Sequence, residues 1–466
     1  MSGFKKNIVK LVSGTFFSQV VLLVSTPFLT RLYSTEDFGL LSLFVSVLGV
    51  SSVSASLRYN RAIPLPKDEL SAIRILTLGG MITLVSSLIS LLIILFFKFG
   101  YFQSDTNFDD IFLVIPIAIL SVGLYDILNY WCIRTNKFGV IAKSKVIQAV
   151  VTASIQLSMF SFGAFSLVVG HTLGLVVALL FFLVVLKVQL NFDWAEIRLE
   201  AKRYKDFPKY STFEALLNSF GNNSPILLVT LFFGQSFAGM YALTYKVLSL
   251  PMNLIGAAVG QAYFSKAAKL YETDKVGNFT LDLFRVLLSI GMPFAIMLFL
   301  SAPFIFDMVF GKDWADAGYF ARYMTPWLLL VFISSPLSSI IAIAEKQKES
   351  LIFQSAFLFV KVAVIYLSSQ LGNAFITVVL LSIFSSVMLV MFIVWLLSLS
   401  GCNILEAKYD IMQVTFVSFF CNIPILFWFF SGYEYVGNYY FIFPLVASLI
   451  MTIVWLKKVR VKYASF

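Results

Sequence analysis

Charge is scarce in this chain. Only 12% of its 466 residues are Asp, Glu, Lys or Arg, about half the share found in soluble domains. That excludes a water-facing surface over most of the length. Histidine is nearly missing, with His171 alone and inside an apolar run. The three cysteines, Cys132, Cys402 and Cys421, have no paired spacing, which excludes a disulfide framework and a zinc site. No phosphate-binding loop occurs, since the only Gly-Lys pair is Gly311-Lys312, so ATP hydrolysis is not expected. Hydrolase and metalloprotease motifs are absent as well. The chain reads as no enzyme, with no cofactor and no metal.

What is present is apolar. Hydrophobic residues make up 59% of the chain, 50 of them Phe, and the mean hydropathy is +0.91. A spanning helix needs about 20 mostly apolar residues. Such runs fall near 8–32, 37–57, 71–97, 110–132, 141–162, 164–187, 209–233, 239–262, 283–306, 318–344, 351–370, 374–398, 411–431 and 438–456. The expected fold is all-α, a polytopic membrane protein of about 14 transmembrane helices. Lys5, Lys6 and Lys10 precede the first run without a small-x-small cleavage site, so that run reads as an uncleaved span.

The basic residues give an independent check on this map. With the N-terminus placed inside, 28 of the 34 Lys and Arg residues fall on the cytoplasmic side and four outside, a strong positive-inside bias. Both termini are therefore expected in the cytoplasm. The net charge of +10 does not point to nucleic acid, because the basic residues sit in short clusters between apolar runs.

The longest inside link, 188–208, sets Phe192, Trp194, Ile197 and Leu199 among Glu196, Arg198, Lys202 and Arg203, an amphipathic pattern for the membrane surface. It divides two six-span halves. A shift of 200 positions aligns Thr30 with Thr230, Gly39 with Gly239, Leu43 with Leu243, Val47 with Val247 and Leu48 with Leu248. The expected organisation is an N-lobe over 1–205, a C-lobe over 206–400 related to it by a pseudo-twofold repeat, and an extra helix pair over 401–466, a transporter layout.

A charge near the bilayer centre costs several kcal/mol unless it faces a cavity or a partner. Lys246 falls about 10 Å inside its span and Lys361 about 15 Å, at 1.5 Å per residue. Both are candidates to line a substrate cavity, and pairing with a buried carboxylate is the alternative. Arg31 ends the first span on the outside, against the charge bias, within reach of Glu36 and Asp37. Arg58 and Arg61 end the second span on the inside. Glu214, Asn218 and Asn222 recur at one-turn spacing ahead of Pro225, a stripe suited to an ion or to helix packing. Asp126, with Asn129 and Tyr130 one turn on, is a second ion-coupling candidate. His171 reads as a packed residue.

Gly14-Thr15 with Gln19, the run Pro27 to Ser34, and Glu36-Asp37-Phe38-Gly39 resemble the opening of the Wzx-type O-antigen and polysaccharide flippases. So do Arg58-Tyr59-Asn60-Arg61-Ala62-Ile63-Pro64-Leu65-Pro66, Tyr130-Trp131 through Arg134 with Lys137-Phe138, and Phe233-Gly234 through Pro251. Asn60 stands where the family commonly has an acidic residue. The resemblance implies the superfamily that also holds MATE exporters and lipid II flippases, with two six-helix lobes around a central cavity and, in some relatives, two extra C-terminal helices. It further implies an undecaprenyl-diphosphate-linked oligosaccharide as substrate, carried across the bacterial cytoplasmic membrane for O-antigen, capsule or exopolysaccharide assembly. Lys246, Lys361, Arg31, Arg58 and Arg61 would face the diphosphate, and Na+ or H+ would drive the cycle. Membrane lipids and the polymerase and chain-length proteins of the same pathway are the expected partners. A MATE-like multidrug exporter and a membrane-embedded polymerase are the rival readings. The first would want an acidic cavity and the second a large outside loop.

Overall fold

In lipid, a backbone must satisfy its own N–H and C=O groups, and an apolar run does so by coiling into a helix. The computed structural model describes residues 2–99, 111–271, 275–431 and 441–462, and every regular element among them is helical. In chain order the helices of eight residues or more are α1 Ser2–Leu32, α2 Thr35–Ala55, α3 Glu69–Phe99, α4 Ile115–Arg134, α5 Phe138–Ser158, α6 Ala164–Leu186, α7 Trp194–Arg203, α8 Thr212–Phe233 and α9 Gln235–Tyr271. There follow α10 Val276–Phe310, α11 Ala315–Leu337, α12 Gln347–Ser369, α13 Ala374–Leu399, α14 Ile404–Cys421, α15 Ile423–Phe430 and α16 Ile442–Lys462.

Eleven of these are long and apolar enough to cross a bilayer, and α14 with α15 makes a twelfth, bent by 65°. The rods α8 and α9 have the length, 22 and 37 residues, but carry more polar side chains. Counting them gives the fourteen rods expected from the apolar runs. The chain is a multi-pass membrane protein. The run 411–431 is not one straight helix. Pro424 has no N–H to continue α14, and the buried Asn422 caps the break, its Nδ2 donating to Ser418 O at 2.8 Å and Pro293 O at 3.1 Å.

The chain packs as two compact units, Met1–Gly239 and Met240–Phe466. In the first, Tyr33 closes the end of α1 by donating to Gln156 O, with Ser166 Oγ 2.8 Å away. Ser34 and Asp37 form a reciprocal capping box that starts α2. The two glycines aligned by the 200-residue shift pack reciprocally. A Cβ on Gly39 would sit 1.9 Å from Gln235 O, and one on Gly239 would sit 2.0 Å from Thr35 O. Thr35 and Gln235 are themselves 200 apart. Only glycine allows backbone to approach backbone this closely.

The amphipathic segment forms α7 as expected. Asp193 caps it, Ile197 is buried, and Arg74 on α3 pairs with Glu196 at 2.9 Å. In the second unit, Phe284, Leu287, Phe332, Ile333, Leu396 and Leu397 join α10, α11 and α13 in one core. Arg285 on α10 ties α14 to that core, 2.6 Å from Asp410 and 3.4 Å from Glu406, with Asp282 beside it at 3.1 Å. The three cysteines are unpaired. Cys132 and Cys421 are buried, and half-buried Cys402 points its Sγ at Gly277 O.

Candidate functional site

Polar side chains converge in each unit. In the first, α2 ends with Leu57 and Arg58 in left-handed backbone conformations, φ 45° and 62°. This costs about 1 kcal/mol or more for a residue with a Cβ, so the surrounding packing must hold it. Ala62 and Ile63 are fully buried, and Tyr59 Oη donates to Ala201 O at 3.1 Å. Arg134, at the end of α4, forks its guanidinium onto the carbonyls of Ile63, Pro66, Lys67 and Asp68. Asn60 is buried and accepts from Arg61 N at 3.0 Å.

The turn so fixed places Arg58 in the electrostatic surroundings of Arg61, Tyr130, Asp126 and Glu214. Burial lowers the Arg58 guanidinium below its ordinary value and Arg61 lowers it further, while Tyr130, Asp126 and Glu214 oppose them. Asp126 in turn feels Arg58, Arg61 and Lys145. Asp126 thus lies in the field of three cations and Arg58 in that of two carboxylates, and Arg58 Nε and Asn129 Oδ1 are buried without a hydrogen-bond partner. Such a cluster suits an anion or an exchange of protons with one.

Four candidates read from sequence therefore meet here: Arg58, Arg61, Asp126 and Glu214. Lys145 was not singled out, because it was counted with the basic cluster at the inner end of its run; it lies inside α5, donating to Thr15 Oγ1 at 3.2 Å. The rest of the α8 stripe diverges from the cluster. Asn218 and Asn222 are exposed and bond to each other at 3.1 Å. The α8 residues that pack on α2 are Ser219, which donates to Gly49 O at 2.8 Å, and Asn223, both one position on from the stripe. Arg31 is exposed at the end of α1. His171 meets the edge of Phe44 at 6.4 Å.

The second unit holds Lys246 and Lys361. Lys246 lies on α9, and its side chain is accessible. One residue before it, Tyr245 stacks on Trp327 of α11 at 6.2 Å and on Tyr241 at 6.5 Å. Lys361 on α12 sets its Nζ 4.2 Å from the Phe357 ring centre and 5.9 Å from that of Trp327. The ring faces offset part of the cost of the lysine charge. Trp327 is 4% exposed, and its Nε1 has no hydrogen-bond partner. The arrangement leaves one unpartnered donor beside a cation, a pairing that suits anionic oxygen. This aromatic setting was not foreseen from sequence, where Trp327 is one apolar residue among many.

A family model described as "Polysaccharide biosynthesis protein" matches residues 28–318. The teichuronic acid biosynthesis protein TuaB of Bacillus subtilis (strain 168) is 28% identical over 117 residues. That stretch spans only 24% of either chain. Among solved structures, the lipid II flippase MurJ in an inward closed conformation aligns with a TM-score of 0.77 at 14% identity, over 97% of this chain and 99% of that one. An inward-facing multidrug resistance MATE transporter aligns with a TM-score of 0.63 at 12% identity, over 85% and 95%. At such identities the likeness speaks of the fold.

Proposed function

We propose, since this chain belongs to the polysaccharide biosynthesis protein family, that it is a flippase for an undecaprenyl-diphosphate-linked oligosaccharide. It carries this substrate from the inner to the outer leaflet of the bacterial cytoplasmic membrane by alternating access. The observation that carries the reading is the pair of lysines within the spans of the second unit. Lys246 is accessible, and Lys361 stands against Phe357 and Trp327 with a spare N–H beside it. Basic side chains within spans mark substrate pathways, and here they offer counter-charge to an anion. Arg31, Arg58 and Arg61 would add counter-charge to the diphosphate. The fold of a lipid II flippase and the part of a relative in teichuronic acid biosynthesis support a lipid-linked saccharide. A cation exporter of the MATE kind would want acidic groups where these lysines stand.

With no phosphate-binding loop, the energy source is an ion gradient or the membrane potential. Asp126 and Glu214, set among cations, are the coupling candidates, with Asn218 and Asn222 beside Glu214 in sequence. The test uses purified protein in liposomes loaded with a fluorescent undecaprenyl-diphosphate oligosaccharide. Translocation is expected on imposing a proton or sodium gradient, without nucleotide. Strict dependence on ATP, or export of cationic dyes in place of the lipid, would overturn the reading.

A further inference from the structure

We propose that the first unit carries a binding site for an anionic phospholipid, distinct from the charged cluster around Arg58. A cavity of 310 Å³ lies between α3, α4 and α6 and is walled at one end by the linker 188–192. Leu76, Met81, Leu84, Leu128, Leu183 and Leu186 make its sides. Gly80 leaves one wall bare, since a Cβ there would meet only Leu124 Cδ2, at 3.8 Å. Its sides are apolar but for Thr77, as an acyl chain requires.

A single charged residue joins this lining, Lys187. It is exposed and ends α6 in a left-handed conformation, φ 46°. The linker beyond it turns apolar side chains outward, with Leu190, Phe192 and Trp194 more than half exposed. Arg198, Lys202 and Arg203 of α7 are exposed nearby in sequence. An amphipathic helix of this kind lies in the headgroup layer, where phosphates attract basic side chains. The slot therefore opens where phospholipid headgroups stand. One acyl chain fills the slot, and the lipid phosphate pairs with Lys187. A cavity of equal volume in the second unit, lined by Leu248, Ile290, Phe294 and Phe332 among others, has no charged lining residue, and nothing there selects a headgroup.

The full-length protein in detergent is titrated with dioleoyl phosphatidylglycerol, phosphatidylcholine or undecaprenyl phosphate, and retained lipid is read by native mass spectrometry. Gly80→Leu fills the slot and is expected to weaken phosphatidylglycerol retention about tenfold. Lys187→Gly keeps the left-handed backbone but removes the charge. It should erase the preference for phosphatidylglycerol over phosphatidylcholine while leaving phosphatidylcholine retention as in wild type. If Gly80→Leu does not fold, Leu84→Trp narrows the same slot from a half-exposed position. Unchanged phosphatidylglycerol retention in the slot variants overturns the proposal. So does a wild-type preference for undecaprenyl phosphate, which would assign the slot to the substrate's own tail.

Discussion

Lys246 and Lys361 separate charge from shape. If they meet a diphosphate, Lys→Arg at either position should keep most activity, although Arg is bulkier and less strongly hydrated. Lys→Glu places an anion where an anion must pass, and should abolish surface-polysaccharide display in a complementation assay normalised to membrane abundance. Normal display in both Lys→Glu variants would remove the physical ground for an anionic substrate. Arg134 makes the opposite case, because it acts through another segment. Its fork spans the carbonyls from Ile63 to Asp68 and so positions the Arg58–Arg61 turn. A lysine is a point donor and cannot make that fork. Arg134→Lys should cut transport several-fold while Lys137→Gln, next to it in the loop, leaves it unchanged. Equal transport by wild type and Arg134→Lys would show that the turn holds itself.

At the scale of helices, two contacts can be tested by abundance and thermal stability. Gly39 and Gly239 face backbone oxygens at distances no Cβ tolerates, so Gly39→Val and Gly239→Val should each lose folded protein. A wild-type melting curve for either variant would contradict the close approach. Arg285→Ala leaves half-covered Asp282 and largely buried Asp410 without their cation. A charged hydrogen bond of this kind contributes about 2 kcal/mol, less where solvent screens it. The melting temperature in detergent should fall by several degrees, and loss of the α14–α16 segment to protease should rise. The rods themselves were legible in the apolar runs, and α7 in its amphipathic pattern, because burial in lipid or at its surface dictates those patterns directly. The glycine repeat appeared in sequence only as scattered identities, for the reciprocal contact depends on how helices cross. The stripe of Glu214, Asn218 and Asn222 was legible as one face of α8, but that Ser219 and Asn223 are the residues meeting α2 depends on how the helices cross. Lys145 was counted with the inside basic cluster, although both the apolar run 141–162 and α5 contain it. The bend at Asn422 needed Pro424 and the Pro293 carbonyl to be seen together.

For the molecule as a whole, the asymmetry of Lys and Arg requires an orientation. Reporter fusions after Lys462 should report cytoplasm, and those after Lys312 the outside, with the reverse at either point refuting the arrangement. The cysteines described above bear on how such a protein can be watched. Two are sealed inside helix packing, and burial pushes the third, Cys402, up to about 12, with Glu406 acting the same way and Arg285 opposing. At neutral pH almost none of Cys402 is the reactive thiolate. The unmodified chain should therefore stay nearly dark to a maleimide dye until the medium turns strongly alkaline. A cysteine introduced at an accessible site such as Lys246 would then light up alone, so that dye uptake with and without substrate could be followed on the native background, with no endogenous thiol removed first.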